Sequence, residues 1–334
     1  MKYNQLRKSG LLVSEIALGT MVFGEENIRG TDQKAAIKII HQFLDQGGNH
    51  IDTANVYVEG RSEEIVGQAI QGKRDQVVLA TKVRFKMGSG PNDQGLSRAH
   101  ILKSVEDSLR RLKVDYLDLL YMHCWDPLTP IEESLRAFDD LVTAGKTRYI
   151  GVSNFKAWQL MKSLTTSQIN GWIRFTAAQY QYSLVERGIE AEISEVCLNE
   201  ELGIIPWGPL GGGFLTGKYS QGDKPDQGRL SMMPEETEES WERRSLERNW
   251  RILDKMASIS ERYKVSHSQI ALAWLLKQSG VCSVIIGART VEQLTENLKT
   301  TSVEIPLSEL DELSELSKPI QGYPYRFIEL YGSR

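Results

Sequence analysis

Short apolar runs rich in Val, Ile, Leu and Tyr recur along the chain, each ending in a small or polar residue and each followed by a stretch with helical spacing. Eight such runs predict strands at residues 15–19, 50–53, 77–82, 117–123, 149–153, 176–180, 203–207 and 282–287. Between them, apolar positions fall three or four apart, the repeat of one helix face. Ile37, Ile40, Phe43 and Leu44 form one stripe; Ile101, Val105, Leu109 and Leu112 a second; Ile131, Leu135, Phe138 and Leu141 a third. The punctuation agrees, with Thr31-Asp32 as a cap signal before the first stripe, Gly47-Gly48 after it and Gly145 after the third. Further helices are predicted at residues 63–70, 156–164, 190–201, 266–277 and 291–299.

Strands covered on both faces must be nearly continuous in apolar residues, and Leu117-Asp118-Leu119-Leu120-Tyr121-Met122 and Val284-Ile285-Ile286 largely are. Eight βα units favour closure into a single-domain (β/α)8 TIM barrel over an open doubly wound sheet. Two stretches stand outside the repeat. Residues 219–244, polar and rich in Gly, Pro and acidic side chains, are expected as an excursion between the seventh strand and its helix. The tail 318–334 carries Tyr323, Tyr325, Phe327 and Tyr331. Long excursions from a barrel are often binding loops.

Composition narrows the partners. In 334 residues, 40% hydrophobic and 25% charged, there is material for a large core, and disorder is not indicated. A net charge of -4 offers no broad positive field, so neither nucleic acid nor membrane is an expected partner. No run of about 18 apolar residues occurs, and the polar, basic start lacks the apolar stretch of a secretory signal. Three cysteines without a CxxC pair fit a reducing compartment, and the expectation is a cytoplasmic protein. The five histidines show no paired ligand spacing, so no metal is expected. There is no GxSxG elbow and no GxGxxG fingerprint. The string Gly212 to Lys218 has P-loop spacing, but Tyr219 stands where the magnesium ligand would be.

In a barrel, chemistry gathers where the strands end. Asp52 closes the second predicted strand, Lys82 the third, His123 the fourth, Ser153-Asn154 the fifth and Gln179 the sixth, while Tyr57 follows five residues after Asp52. A lysine beside a tyrosine stabilises the phenolate and is expected to pull the phenol's pKa down, making it a better acid partner. Such a lysine is costly in a half-buried mouth unless a carboxylate pairs with it, and Asp52 is placed to do so. His123 would donate a hydrogen bond to a carbonyl oxygen on which charge builds. Taken singly, Asp52 reads as a turn cap, Lys82 as a solvated strand end, His123 as a core histidine and Tyr57 as a rim aromatic. Four such residues at one barrel face make those separate explanations an unattractive coincidence.

These residues, with the segments around them, resemble the aldo-keto reductase superfamily across almost the whole chain. The matching stretches are Leu18-Gly19-Thr20-Met21, Asp52-Thr53-Ala54 with Tyr57 and Ser62-Glu63, Thr81-Lys82, Tyr121-Met122-His123, Gly151-Val152-Ser153-Asn154-Phe155, Gln179-Tyr180, Trp207-Gly208-Pro209-Leu210 through Gly217-Lys218, and Gly287-Ala288-Arg289. The chain is most similar to the bacterial branches and the potassium-channel β-subunits, which have a tryptophan where Trp207 stands. The resemblance implies that Asp52, Tyr57, Lys82 and His123 are a catalytic tetrad and that NADPH is the cofactor. It implies that Ser153, Asn154 and Gln179 hold the carboxamide, with Gly19, Thr20, Met21 and Asp52 beside the nucleotide. Trp207 would stack on the nicotinamide. Gly208, Pro209, Leu210, Gly212, Gly217 and Lys218 would cover the pyrophosphate, and Gly287, Arg289, Gln293, Glu296 and Asn297 would take the adenosine end and its 2′-phosphate. Met21, Phe23, Tyr57, His123 and Trp125 would contact a small carbonyl substrate. The sequence departs from many relatives in placing Val58-Glu59 between Tyr57 and Gly60, so the loop bearing Tyr57 is expected to be shaped differently.

The implied activity is NADPH-dependent reduction of aldehydes or ketones with Tyr57 as the proton donor. A nucleotide-binding regulatory subunit with slow turnover is the alternative from another class. A Schiff-base aldolase on Lys82 also fits a barrel but leaves Trp207, Arg289 and Tyr57 without a role.

Overall fold

The structure, a computed structural model, describes residues 1–25, 30–222, 224–226 and 228–332. Asp223 and Gln227 of the expected excursion, and Ser333 and Arg334 of the expected tail, lie outside the described residues.

Eight parallel strands form one sheet: strand 1 (Ile16–Gly19), strand 2 (His50–Asp52), strand 3 (Val78–Val83), strand 4 (Leu117–Met122), strand 5 (Thr147–Ser153), strand 6 (Ala177–Gln181), strand 7 (Gly203–Trp207) and strand 8 (Val284–Ile286). Their order in the sheet, 8-1-2-3-4-5-6-7, is that of a barrel, and each lies within two residues of its predicted position. The ring closes between strands 7 and 8, where Ile204 N donates to the Gly280 carbonyl at 2.9 Å and Cys282 N donates to the Ile204 carbonyl at 3.0 Å. A (β/α)8 barrel is therefore the fold.

Alternation along each strand sorts the apolar residues into two cores. Ala17, Val78, Ala80, Leu119, Tyr121, Ala177, Ile205 and Ile285 point inward and pack together, whereas Ile16, Leu18, Ile51, Leu79, Leu120, Ile150, Val152, Ile204, Val284 and Ile286 face the helices. An N-terminal hairpin pairing Tyr3–Gln5 with Leu12–Ser14 brings Leu6 and Val13 into the inner cluster and plugs the end opposite the site.

The outer helices cover the sheet for local reasons. Asp32 caps helix Gln33–Asp45 by accepting from Ala35 N, and Ser97 caps helix Arg98–Leu112 by accepting from His100 N. A Ser266–Gln269 capping box starts helix His267–Leu276. Helix Glu247–Tyr263 lay outside the predicted set, although Trp250, Leu253, Met256 and Ile259 form a buried stripe three residues apart. Helices Leu307–Leu316 and Tyr325–Tyr331, near and within the expected tail, were not foreseen either.

Few polar groups enter the inner core. His50, fully buried, has its Nδ1 3.0 Å from Ser283 Oγ, and burial lowers its pKa to about 4. The unfolded chain would protonate this histidine near 6.5, so the native state binds fewer protons between those values. Stability is then complete above pH 6.5 and falls as the pH drops toward 4, by roughly 3 kcal/mol from this group. Urea unfolding at pH 7 and pH 5 is expected to show the loss, and a His50→Gln variant to flatten it; an unchanged slope in the variant would assign the acid sensitivity elsewhere.

Candidate active site

Strand geometry delivers the site. The inward row of strand 3 runs Val78, Ala80, Lys82, so its last side chain projects into the barrel mouth, and strand 2 ends with Asp52 pointing the same way. Lys82 is fully buried. Its ammonium donates to Asp52 Oδ2 at 2.5 Å, to the Thr53 carbonyl at 2.8 Å and to the Tyr57 hydroxyl at 3.2 Å. All three donors of the ammonium are thereby used. Asp52 is completed by Gln179 Nε2, which donates to its Oδ1 at 2.8 Å from the inward row of strand 6. The Thr20 hydroxyl and amide both donate to the Asp52 carbonyl, fixing the end of strand 2.

His123 follows strand 4 directly, buried at 9% exposure, with its ring edge-on to Tyr57 at 5.9 Å and to Phe85 at 4.7 Å. The four residues expected as a tetrad thus come together in one cluster. Burial, with the Lys82 and Arg84 charges adding to it, holds the imidazole well below its ordinary pKa, so it is neutral at neutral pH. Burial alone would lower the Lys82 ammonium, but Asp52 and Tyr57 together outweigh it, and the net shift is upward. Lys82 therefore stays charged. A Schiff-base nucleophile needs the opposite, a free amine.

For Tyr57 the expected direction is corrected. Burial raises the phenol's pKa and is the largest influence; Lys82 offsets only part of it, and Asp52 adds to the rise. The ammonium acts as foreseen, but desolvation of the phenolate is larger.

The loop after Tyr57 is unusual. Val58 (φ 47°), Glu59 (φ 54°) and Gly60 (φ 94°) are three consecutive left-handed residues, which for a β-branched valine is a strained conformation. Val58 and Glu59, which stand between Tyr57 and Gly60, make up the first two residues of this left-handed run.

Ser153 Oγ donates to the Gln179 carbonyl, and Asn154 Nδ2 donates to Ser153 Oγ and to the His123 carbonyl, which places the carboxamide candidates against the cluster. Trp207 is half-buried against the inner core at the end of strand 7. Beyond it Gly208, Gly211, Gly212, Gly213 and Gly217 all have positive φ along the turn that Pro209 and Leu210 enter, with Leu230 and Glu239 packed beside Gly212. Lys218 Nζ lies over the turn, 3.3 Å from where a Cβ on Gly213 would sit. After strand 8, Gly287 faces open space and Arg289 N donates to Gln293 Oε1. Thr290 caps helix Val291–Leu298, on which Asn297 is buried and Glu296 accepts from Gln269 Nε2 at 2.9 Å. Gly19 borders strand 8, where an added Cβ would meet Ile285, and Met21 is 36% exposed. Trp125 is edge-on to Phe155 at 5.1 Å and to Trp158 at 5.7 Å. Phe23 is a correction: it is fully buried in the outer core and does not line the mouth.

Arg229 was missed. It sits in the segment expected as an excursion, pairs with the buried carboxylate of Glu239 at 2.5 Å, and is close enough to Tyr57 for its charge to favour the phenolate. The segment is pinned through Tyr219, Trp241, Trp250 and Phe214 in edge contacts, and through the buried Arg244, which donates to the Val185 and Glu238 carbonyls. An arginine in a polar, periodless stretch carries no sequence signal; only the aromatic positions hinted at packing.

Comparison with known proteins matches residues 15–318 to the aldo/keto reductase family. The chain belongs to that family. It is 37% identical over 332 residues to a probable voltage-gated potassium channel subunit beta of Arabidopsis thaliana, covering 98% of each chain. It is 36% identical to the norsolorinic acid reductase of Emericella nidulans, covering 96% of this chain and 82% of that one. An uncharacterized oxidoreductase of Bacillus subtilis is 36% identical, over 95% of this chain and 96% of its own. Among the described residues of this aldo-keto reductase, no helix is long and apolar enough to cross a membrane.

Replacing Val58 by glycine is expected to relieve left-handed strain and stabilise the fold by about 1 kcal/mol, less the entropy glycine adds to the unfolded chain. Chemical denaturation of Val58→Gly would show this as a higher midpoint; a lower one would mean that the isopropyl group contributes packing worth more than the strain.

Proposed function

We propose that this aldo-keto reductase uses NADPH to reduce aldehydes or ketones to alcohols, with Tyr57 as general acid. The observation that carries the reading is the buried ammonium of Lys82, which binds the Asp52 carboxylate and the Tyr57 hydroxyl at once. The glycine-rich turn beside Lys218 supports a pyrophosphate there, since backbone without side chains lets an anion approach closely. Arg289 beside the capped start of helix Val291–Leu298 suits a 2′-phosphate, with Gln293, Glu296 and Asn297 toward the adenosine. When bound, the nucleotide supplies the hydride.

The chain's own residues do the rest. Ser153, Asn154 and Gln179 orient the carboxamide, Trp207 supplies a flat wall for the ring, and Gly19, Thr20, Met21 and Asp52 border it. Neutral His123 donates a hydrogen bond to the substrate oxygen. The raised pKa of Tyr57 keeps the phenol protonated at neutral pH, the state a proton donor needs, while Lys82 stabilises the phenolate left behind. Met21 and Trp125 form the apolar side of the mouth. The three unpaired cysteines support a cytoplasmic setting. Relatives named as reductases favour turnover, whereas likeness to the plant channel subunits favours a second reading, a nucleotide-binding subunit with slow turnover.

Tyr57→Phe is expected to lower kcat for aromatic aldehydes by about 10²- to 10⁴-fold while leaving NADPH binding intact. Stopped-flow and fluorescence titration measure the two. Tight binding with negligible turnover in the unaltered protein would favour the subunit.

Arg289→Ala is expected to weaken NADPH about tenfold or more, with NADH unchanged, because only the former carries the 2′-phosphate. Equal weakening of both nucleotides would place the phosphate elsewhere.

A further inference from the structure

Asn55 lies between Asp52 and Tyr57 and is wholly buried, yet among the described residues no protein group bonds its amide nitrogen or its amide oxygen. Its backbone is not loose, since Asn55 N donates to the Lys82 carbonyl at 3.3 Å. Lys82 thus grips this turn twice, with its main chain at Asn55 and its ammonium at Thr53. Asn55 is one of the residues around a pocket of about 50 Å³, with Met87, Asp93, His100, Ser104 and Arg111 among the others. A buried primary amide without partners is costly, and a polar pocket of this size holds a few waters, each able to bond two to four groups.

Arg111 connects this pocket to the catalytic loop. Its side chain packs on Gly60, where an added Cβ would come within 2.7 Å of Arg111 Cδ. Arg111 Nε donates to the buried Glu63 at 2.7 Å, and Glu63 accepts from Thr81, the neighbour of Lys82. The left-handed run at Val58, Glu59 and Gly60 persists only if its surroundings hold it, and Asn55 and Arg111 stand at its two ends.

We propose that Asn55 is a positioning residue for Tyr57: ordered water in this pocket completes its amide and, with Arg111 packed on Gly60, holds the strained turn that aims the phenol at Lys82. The role rests on the reductase reading for its catalytic consequence, but the structural consequence stands without it.

Two variants of the full chain test it, Asn55→Leu, which keeps the volume and cannot bond water, and Asn55→Ser, which can. Amide hydrogen exchange at residues 57–60, followed by mass spectrometry, is expected to quicken about tenfold in the leucine variant and about twofold in the serine variant. With NADPH and an aromatic aldehyde, kcat is expected to fall about tenfold for leucine, recover largely for serine, and leave KM and the nucleotide Kd within about twofold. Exchange unchanged in Asn55→Leu would overturn the proposal, as would a kcat loss matched by weakened nucleotide binding or not recovered by serine. If the unaltered protein turns over no carbonyl, the reductase reading fails, and the exchange rates alone decide the role of Asn55. Should the leucine variant not fold, the serine variant decides, with unchanged exchange counting against the proposal.

Discussion

One buried ion pair organises the mouth of this barrel. Lys82 has no exposed surface, and an ammonium taken from water into that position is sustainable only if every one of its hydrogens is used and a carboxylate lies beside it. The Asp52 carboxylate, the Thr53 carbonyl and the Tyr57 hydroxyl meet that requirement from one short segment. Asp52 then needs its own second oxygen satisfied, which Gln179 does from across the barrel. Strands 2, 3 and 6 are thereby tied at their C-terminal ends by the needs of a single charge. Removing either partner would leave the other buried and uncompensated, whereas the intact pair contributes little net stability of its own.

Protonation around the pair is set mainly by burial, with the lysine's charge as a smaller influence. Around Lys82 the histidines are held neutral, His50 beneath by burial and His123 above by burial joined with the lysine's charge. The phenol of Tyr57 keeps its proton because burial opposes the phenolate more than one ammonium favours it. Within the four-residue cluster itself the charged pair is Lys82 and Asp52, which nearly cancel. A negative charge developing on a carbonyl oxygen in this mouth would meet hydrogen-bond donors fixed in advance.

Much of this was legible in the sequence because strand period and strand end are local facts. Alternation carries Val78 and Ala80 inward and so carries Lys82 inward, and an Asp at the end of the adjacent strand is within reach of it. The features that escaped are those set by longer-range packing. Phe23 follows strand 1 as a mouth residue would, yet the chain turns it into the outer core. Helix Glu247–Tyr263 shows its apolar stripe plainly once found, but its polar and charged residues and the irregular stretch before it obscured the start. Arg229 reaches the Tyr57 region only because an aromatic cluster and a buried arginine fold its segment back, and no periodicity encodes that. The direction of the Tyr57 shift needed the depth of burial, which no pattern gives.

The strained run at Val58 to Gly60 shows why the surroundings of the tetrad matter as much as its members. A helix or strand would hold a side chain by its own hydrogen-bond ladder, but Tyr57 sits where such a ladder is broken, between the end of strand 2 and helix Arg61–Ala69. Its direction is therefore fixed by contacts outside the turn. Lys82 holds the near side through main chain and ammonium, and Arg111 holds the far side from a different helix, through Gly60 and Glu63. A bulkier residue at Gly60 would collide with Arg111, and a shorter one at 111 would release the turn. The turn that carries Tyr57 is thus held by two cations, one that bonds the phenol hydroxyl and one that packs on Gly60 without touching that hydroxyl.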